Sequence, residues 1–278
     1  MKKTLLDIEL MYKKLGKAEK QVADRIMKKP DDIISLSIIE LAEQCGCSEA
    51  TIVRFAKRMG LSGYQELKIS LASESGASIV SENITESDSA YQMFEKVCND
   101  IYCSLELTKK SLGSEEIALA ADRICNAGRI VLFGLGNSAS IAMDASHKFL
   151  RAGLNAFAYC DNHMQVISAS HLKENDVAIA VSHSGSSKDI VEALKIAKEH
   201  GATTIAITNS GKSPILKQSD IVLSTSSKET QYNILALNSR IAQLAIIDAL
   251  YFYIVYNRST DALNSIQETE HSLLTKKY

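Results

Sequence analysis

Val177-Ala-Ile-Ala-Val181 runs directly into Ser182-His183-Ser184-Gly185-Ser186-Ser187, so an unbroken apolar segment ends in a loop of small hydroxyl-bearing residues. Four more short apolar segments alternate with amphipathic helical patterns in the second half of the chain: residues 130–133, 156–159, 204–207 and 221–223. Strands that are apolar on both faces and alternate with helices are typical of a parallel sheet that is covered on both sides. The sequence therefore predicts an α/β domain with a five-stranded parallel sheet flanked by helices.

Two loops that follow predicted strands are rich in glycine and serine. The first is Gly134-Leu-Gly-Asn-Ser-Ala-Ser140 and the second is residues 182–187, and each opens a helical pattern. Glycine lets a backbone approach an anion closely, while serine hydroxyls and helix N-terminal amides donate hydrogen bonds to it. Because the ends of parallel strands share one edge, the two loops together predict a site for one small phosphorylated ligand.

Two other interpretations of these loops remain open. The serines can act only as caps of the following helices. The first loop also matches the G-x-G-x-x-A pattern of dinucleotide-binding folds, and Asp161 lies about 25 residues further on. Neither loop contains the lysine of a P-loop, which counts against nucleoside triphosphates.

The first 75 residues show helical patterns only. Ser37-x-x-Glu40 predicts a capping box, Cys45-Gly46-Cys47 a tight turn, and Ser48 the cap of a helix over Glu49–Met59. This capped helix, turn and second helix match the helix–turn–helix that places its second helix in the DNA major groove. One face of the second helix is apolar, and the opposite face is expected to present Thr51, Arg54, Lys57 and Arg58. An ordinary helical hairpin with a basic edge is the alternative.

Composition excludes several classes of protein. The chain has 278 residues, is 46% hydrophobic and carries a net charge of −2, which excludes whole-chain disorder. Residues 1–75 hold 13 basic and 11 acidic residues, and the rest hold 18 and 22. The most apolar stretch, Ile241–Tyr256, contains Gln243 and Asp248 and is shorter than the ~20 residues of a membrane span. We therefore expect a cytoplasmic protein without membrane contact. We expect its six cysteines to be buried or semi-buried thiols. We also expect no metal site and no cofactor.

Lys17–Leu71, and above all the segment from Ile39 to Tyr64, resembles the helix–turn–helix domain of the RpiR/MurR-type bacterial transcriptional regulators. Residues from about 108 onward resemble the sugar-isomerase (SIS) domain, through the two serine loops and Asn238-Ser-Arg-Ile-Ala-Gln-Leu244. The expected organisation is an all-α helix–turn–helix domain (1–75), a Ser- and Glu-rich linker (76–90) and an α/β SIS domain with leading helices (91–278).

The resemblance implies a regulator of carbohydrate catabolism genes that binds operator DNA and a sugar-phosphate effector as a homodimer or homotetramer. By motif position, Ser138, Ser182, Ser184 and Ser187 would hold the phosphate. Other candidate ligand-binding residues are Gly136, Asn137, His183, Gly185 and Glu229. The candidate DNA-binding residues are Ser48, Thr51, Arg54, Lys57 and Arg58.

SIS enzymes carry a Lys-x-x-Glu pair after the sheet, whose glutamate acts as the base. The corresponding spacing here is Arg240-x-x-Gln243, and a neutral amide cannot accept a proton from a sugar carbon at neutral pH. We therefore expect no catalytic residue and no enzyme activity. An SIS-fold sugar-phosphate isomerase with an accessory helical domain is the alternative, and Glu229 would favour it if it lay near the ligand.

Overall fold

The computed structural model describes residues 3–74, 84–227 and 237–276. The chain divides into two compact units. Met1–Asp100 makes up most of the first, and the second comprises Ile101–Ser210, Pro214–Ser227 and Asn238–Tyr278. Much of the predicted linker, 76–90, lies outside the described residues, and a long helix begins at its last residue, Ala90.

The first unit is a bundle of short helices around one apolar core. Its helices are α1 (Lys3–Met11), α2 (Lys17–Lys28), α3 (Pro30–Ser35), α4 (Ile38–Gln44), α5 (Glu49–Arg58) and α6 (Tyr64–Glu74), with a 3-10 turn at Tyr12–Lys14. Each helix contributes at least one fully buried residue to this core. These residues are Ile8 of α1, Val22 of α2, Ile33 of α3, Leu41 of α4, Phe55 of α5 and Leu67 of α6. The predicted all-α unit is therefore present.

Helix α3 is an element that the sequence pattern did not indicate. Helix α2 stops at Lys28 because the residue before a proline avoids the helical conformation, and Lys29 lies at φ −149°. Proline also suits the first position of a helix, where its missing N–H needs no partner. Pro30 therefore begins α3 as well as ending α2.

Strands and helices alternate from residue 90 onward. The helices are α7 (Ala90–Ser111), α8 (Ser114–Cys125), α9 (Asn137–Arg151), α10 (Asn162–Ala169), α11 (Lys188–Glu199) and α12 (Leu237–Leu273), with 3-10 turns at Pro214–Gln218 and Leu274–Lys276. The strands are β1 (Ile130–Phe133), β2 (Ala156–Tyr159), β3 (Val177–Val181), β4 (Thr203–Asn209) and β5 (Ile221–Thr225). All five predicted strands are confirmed.

The five strands form one parallel sheet in the order β2-β1-β3-β4-β5. The chain leaves β1 toward β2 at one edge and then returns to pair β3 with the other side of β1, with Phe133 opposite Ala180. The direction of strand progression therefore reverses between β1 and β3. Open α/β sheets bind their ligands at such a switch point.

Both faces of the sheet are covered along β1, β3 and β4, whereas Phe157 of the edge strand β2 is 43% exposed. Alternate residues of β1 serve opposite faces: Leu132 packs with Phe149 of α9 and Ile247 of α12, while Phe133 packs with Leu194 of α11. This confirms the prediction of a doubly covered sheet and explains why its strands have no polar alternation.

Helix α12 is longer than its apolar pattern, which ended at Tyr256, and it contains a non-helical residue, Ser259, at φ 20°. By length and composition its described part, Asn238–Leu273, is long and apolar enough to cross a membrane. Ile246, Ile247 and Leu250 of this helix are buried in the core beside the sheet, as in the core helix of a globular domain.

Candidate functional site

The glycine- and serine-rich loops after β1 and β3 lie side by side, because these two strands are paired in the sheet. The second loop is held to β4: the Ser182 amide donates to Ile207 O (3.0 Å), and the Asn209 amide donates to His183 O (3.0 Å). Both predicted loops therefore occupy the switch point.

Glycines give the first loop its shape. A Cβ atom on Gly134 would lie 2.5 Å from the carbonyl oxygen of Ser138, so only glycine allows the first turn of α9 to pack this close to the end of β1. Gly136 precedes α9 at φ +56°, a backbone conformation that glycine adopts at no steric cost. The loop thus turns sharply and brings the N-terminus of α9 to the edge of the sheet.

The helices that follow the two loops begin without a side-chain cap. Gly136 precedes α9 and Ser187 precedes α11, and neither accepts a capping hydrogen bond through its side chain. By contrast, Asp161 caps α10 by accepting from the Met164 amide at 3.0 Å. The interpretation of Ser187 as a simple helix cap is therefore wrong. Asp161, which the dinucleotide alternative would assign to a ribose hydroxyl, instead caps α10.

The candidate ligand residues differ in exposure. Ser182 is only 4% exposed, whereas Ser184 and Ser187 are exposed and Ser138 is half-buried. Ser184 Oγ accepts a hydrogen bond from the Ser186 amide (3.3 Å), and this bond spans the turn at Gly185. Gly136 and Asn137 are exposed, and His183 is half-buried. Glu229 lies outside the described residues.

Two polar residues of this region were missed by the sequence analysis. Gln165 of α10 is fully buried, and its amide donates to Gly134 O (3.3 Å) and Tyr159 O (2.8 Å), so it joins the ends of β1 and β2. Its Oε1 atom, like Oδ1 of Asn209 at the end of β4, is buried and finds no donor among the described residues. The sequence carried a signal for Asn209, because it is a polar residue at the end of an otherwise largely apolar strand.

Gln243 lies in the first turns of α12 and is 1% exposed. Its Nε2 atom has no hydrogen-bond acceptor in the part of the chain that the structure describes. The residue at the spacing of the enzymes' base is thus a buried neutral amide with an unused donor.

The first unit contains the predicted helix–turn–helix in α4 and α5. Ser37 and Glu40 form the predicted capping box: the Glu40 amide donates to Ser37 Oγ (3.2 Å), and the Ser37 amide donates to Glu40 Oε2 (2.8 Å). Ser48 caps α5 by accepting from the Thr51 amide at 3.3 Å. Gly46, at φ +58°, makes the turn between them. Both predicted caps are confirmed.

The five candidate DNA-binding residues do not form one exposed face. Ser48, Arg54, Lys57 and Arg58 are exposed, but Thr51 is 5% exposed. The expectation that Thr51 is presented on the open face is wrong, because its hydroxyl contacts Ser48 Oγ (3.0 Å) and accepts from Arg54 (3.3 Å). Arg58 donates to Glu19 Oε2 (2.7 Å) and to Lys14 O (3.2 Å), so its guanidinium is held within the unit.

Helix α6 braces the segment that leads into α4. The Tyr64 hydroxyl donates to the carbonyl oxygens of Ile33 and Leu36, and Lys68 Nζ also donates to Leu36 O at 3.1 Å. Burial lowers the pKa of Lys68 to about 8, although nearby Glu40 acts in the opposite direction. Burial has the opposite effect on the Tyr64 hydroxyl and raises its pKa, because in both side chains it disfavours the charged form.

Cysteine chemistry does not define a site in either unit. Burial raises the pKa of Cys45 to about 11, which leaves its thiol protonated at neutral pH. The expectation of buried or semi-buried thiols is wrong for Cys98, Cys103 and Cys160, which are exposed. Across residues 3–74, 84–227 and 237–276, no three His, Cys, Asp or Glu side chains are grouped closely enough to hold a metal ion.

Comparison with known proteins agrees with this architecture. The sequence profile of the helix–turn–helix domain of the rpiR family matches residues 2–78, and that of the SIS domain matches residues 123–253. The chain is 37% identical to an HTH-type transcriptional regulator of Caldanaerobacter subterraneus over 100% of its own length and 99% of the relative's. It is 34% identical to the HTH-type transcriptional regulator HexR of Pseudomonas aeruginosa, covering 100% and 98% of the two chains.

A solved structure extends the likeness to three dimensions. The Vibrio vulnificus NanR protein, determined in complex with ManNAc-6P, superimposes with a TM-score of 0.83 at 25% identity, covering 99% of both chains. Taken with the helix–turn–helix and the serine loops, these likenesses show that the chain belongs to the rpiR family of helix–turn–helix transcriptional regulators that carry a SIS domain.

Proposed function

We propose that this protein regulates carbohydrate catabolism genes by binding operator DNA through α5 and a sugar phosphate through the loops after β1 and β3. The observation that carries the ligand half of the proposal is the pair of helices, α9 and α11, that start at the switch point without side-chain caps. The positive dipole ends of these two helices favour an anion, and the surrounding hydroxyls supply hydrogen-bond donors.

In the proposed complex, Ser138, Ser182, Ser184 and Ser187 donate hydrogen bonds to the phosphate. Gly136 and Gly185 shape the loops, and Asn137 and His183 contact the sugar or the phosphate beside them. The buried oxygens of Asn209 and Gln165 find no donor among the described residues, and the hydroxyls of a sugar are donors of the kind they require. These two acceptors therefore support a ligand that carries a sugar beside its phosphate. The ManNAc-6P bound to NanR makes amino-sugar phosphates the first class to test.

We infer that the protein is not an isomerase. Gln243 supports this inference, because a buried amide cannot take a proton from a sugar carbon. Incubating the protein with each bound sugar phosphate and following the sugar by NMR tests the inference. Turnover that disappears in Ser184→Ala would favour the SIS isomerase instead.

For the DNA half, Arg54 and Lys57 are exposed cations of α5, and Ser48 is exposed at the N-terminus of this helix. One helix–turn–helix contacts few base pairs, so such units act in pairs on half-sites about one DNA turn apart. We therefore propose a cytoplasmic homodimer or homotetramer. Exposed aromatic residues of the second unit, Tyr102, Phe252 and Tyr256, offer apolar surface for its formation. Light scattering of the purified protein decides whether it is monomeric.

A regulator of this kind requires coupling between its two ligands. A sugar phosphate alters DNA affinity only through its differential affinity for two states of the protein, and typical couplings are about 1–3 kcal/mol. The coupling is reciprocal, so operator DNA must change sugar-phosphate affinity by the same factor. Ligand titrations with and without operator DNA measure this factor, and equal affinities in both would contradict the proposed regulation.

Ser184→Ala is the sharpest test of the ligand site. A thermal-shift screen of hexose, pentose and amino-sugar phosphates selects the ligand, and calorimetry then compares variants. Losing a hydrogen bond to a charged group costs about 1.5–3 kcal/mol, so affinity should fall about 10- to 150-fold.

The matched control is Ser170→Ala, because the Ser170 hydroxyl donates to Val166 O at the C-terminal end of α10. This variant should bind like the wild type. Equal affinity of Ser184→Ala and Ser170→Ala, or equal affinity of wild type for the unphosphorylated sugar, would contradict the proposed phosphate site.

A further inference from the structure

The connection between α1 and α2 is fastened to the C-terminal end of α5. Arg58 donates to Glu19 Oε2 at 2.7 Å and to the carbonyl oxygen of Lys14 at 3.2 Å. The same Glu19 oxygen accepts the Gly16 amide at 2.9 Å. Leu15, between them, is 5% exposed and anchored in the core. The backbone from residue 14 to 16 is therefore fixed beside the helix that we propose for the major groove.

The residues around this fastening form a positively charged surface, because the cations that line it outnumber the one carboxylate, Glu19. The Glu19 carboxylate is largely buried, with 15% of its side chain exposed, and Arg58 neutralises it. Lys14 and Lys17 stand exposed on either side of Gly16. Together with Arg54 and Thr51 of α5, they line an open cleft of about 520 Å³. The cleft thus joins the connection and α5 into one basic surface.

We propose that Lys14 and Lys17 bind phosphates of the DNA backbone that flanks the groove occupied by α5, and that Arg58 is a positioning residue that holds them there. The proposal rests on the DNA-binding function proposed above. It also reassigns Arg58, which the sequence pattern placed among the residues facing DNA. Arg58 acts through Glu19 and the Lys14 carbonyl.

The arrangement favours a polymer of phosphates over a single anion. Arg54 donates to Thr51 Oγ1 (3.3 Å), which holds it near the start of α5, while Lys14 lies beside Arg58 at the other end of the helix. The positive charges are therefore spread along the length of α5. An extended polyanion engages both ends of such a surface at once, and phosphate contacts of this kind fix the register of a protein on a duplex.

The test measures binding of the full-length protein to a fluorescein-labelled 30-base-pair duplex of arbitrary sequence, by anisotropy over a series of KCl concentrations. Phosphate contacts do not depend on sequence, and each lowers the slope of log K against log salt by about 0.9. Lys14→Ala/Lys17→Ala should therefore reduce the magnitude of the slope by about 1.8 for every helix–turn–helix unit bound. At 0.1 M salt this corresponds to about 60-fold weaker binding per unit.

Two variants serve as controls. Lys28→Ala/Lys29→Ala removes the same charge at the opposite end of α2 and should leave the slope unchanged. Lys14→Arg/Lys17→Arg keeps the charge and should retain the wild-type slope. Circular dichroism establishes that all variants keep their helix content.

Each outcome is decisive. An unchanged slope for Lys14→Ala/Lys17→Ala, or an equal decrease for the α2 control, would overturn the assignment of these lysines. A second contrary result is possible with inorganic phosphate as the probe. If phosphate raised the Tm of the wild type but not that of Lys14→Ala/Lys17→Ala, while both had the same salt slope, the cleft would hold a free anion and the assignment would be overturned. Absence of DNA binding by the wild type would instead refute the proposed function itself, so the two failures are distinguishable.

Discussion

Replacing Gly134 by alanine tests whether the close approach of β1 and α9 is what builds the ligand loop. The added Cβ would lie 2.5 Å from Ser138 O and 2.8 Å from Ser138 C, both of them backbone atoms in the first turn of α9. Ordinary contact begins at 3.4 Å, so the helix or the strand must move by about 0.9 Å. Overpacking of this kind costs about 1–3 kcal/mol.

In a unit of this size, each kcal/mol lowers Tm by about 2–4 °C, so Gly134→Ala should melt about 2–12 °C below the wild type. The same shift moves the N-terminal amides of α9, and sugar-phosphate affinity should fall with it. Hydrogen exchange of the peptide 130–151 should localise the loss of protection to β1 and α9.

Gly128→Ala is the matched control, since its Cβ would meet Asp176 Oδ1 at 3.4 Å, an ordinary contact, and its φ is not positive. It should change stability by less than about 0.5 kcal/mol. If Gly134→Ala melted within 1 °C of Gly128→Ala and bound ligand equally well, the reasoning about the loop would be refuted.

Two further predictions concern the helical unit. Ser48→Ala removes the cap of α5 and should cost about 1 kcal/mol in urea unfolding, whereas Ser73→Ala should cost little; equal midpoints would show that the cap does not stabilise α5. Burial lowers the folded-state pKa of Lys68 to about 8, so between about pH 8 and 10 the unfolded chain holds a proton that the folded chain has lost. The difference in free energy of unfolding between the wild type and Lys68→Met should therefore change with pH across this window, in favour of the wild type as the pH rises. The difference between the wild type and Lys28→Met should show no such trend.

The sheet could be predicted from sequence because its signals are local. A parallel strand buried on both faces leaves a continuous apolar run, and Val177–Val181 is one. The caps at Ser37 and Ser48 were visible for the same reason, since a capping residue and its partner lie three residues apart. Strand order followed from neither signal, because pairing is set by packing between distant segments.

Two features that the sequence analysis missed depend on contacts that are remote in the chain. Arg58 and Glu19 are 39 residues apart, so their ion pair leaves no mark in the pattern of α5. Gln165 and Gly134 are 31 apart. Thr51 fell on the polar side of a helical projection, which ignores that a hydroxyl at the third helical position turns back toward the N-cap. The end of α12 was missed because Ala262 is the one fully buried apolar residue recorded after Ser259 in the described part.

Gln165 restricts how this fold can diverge. Both hydrogens of its buried amide are spent on the carbonyl oxygens of Gly134 and Tyr159. Glutamate has the same shape, but its carboxylate would set negative oxygens against two carbonyls that have lost their donor. A change from glutamine to glutamate needs one nucleotide and is harmless at most surface positions. At position 165 it is therefore expected to destabilise the fold. Substitutions in the serine loops leave both hydrogen bonds of Gln165 in place, whereas a change of Gln165 itself removes the tie between β1 and β2.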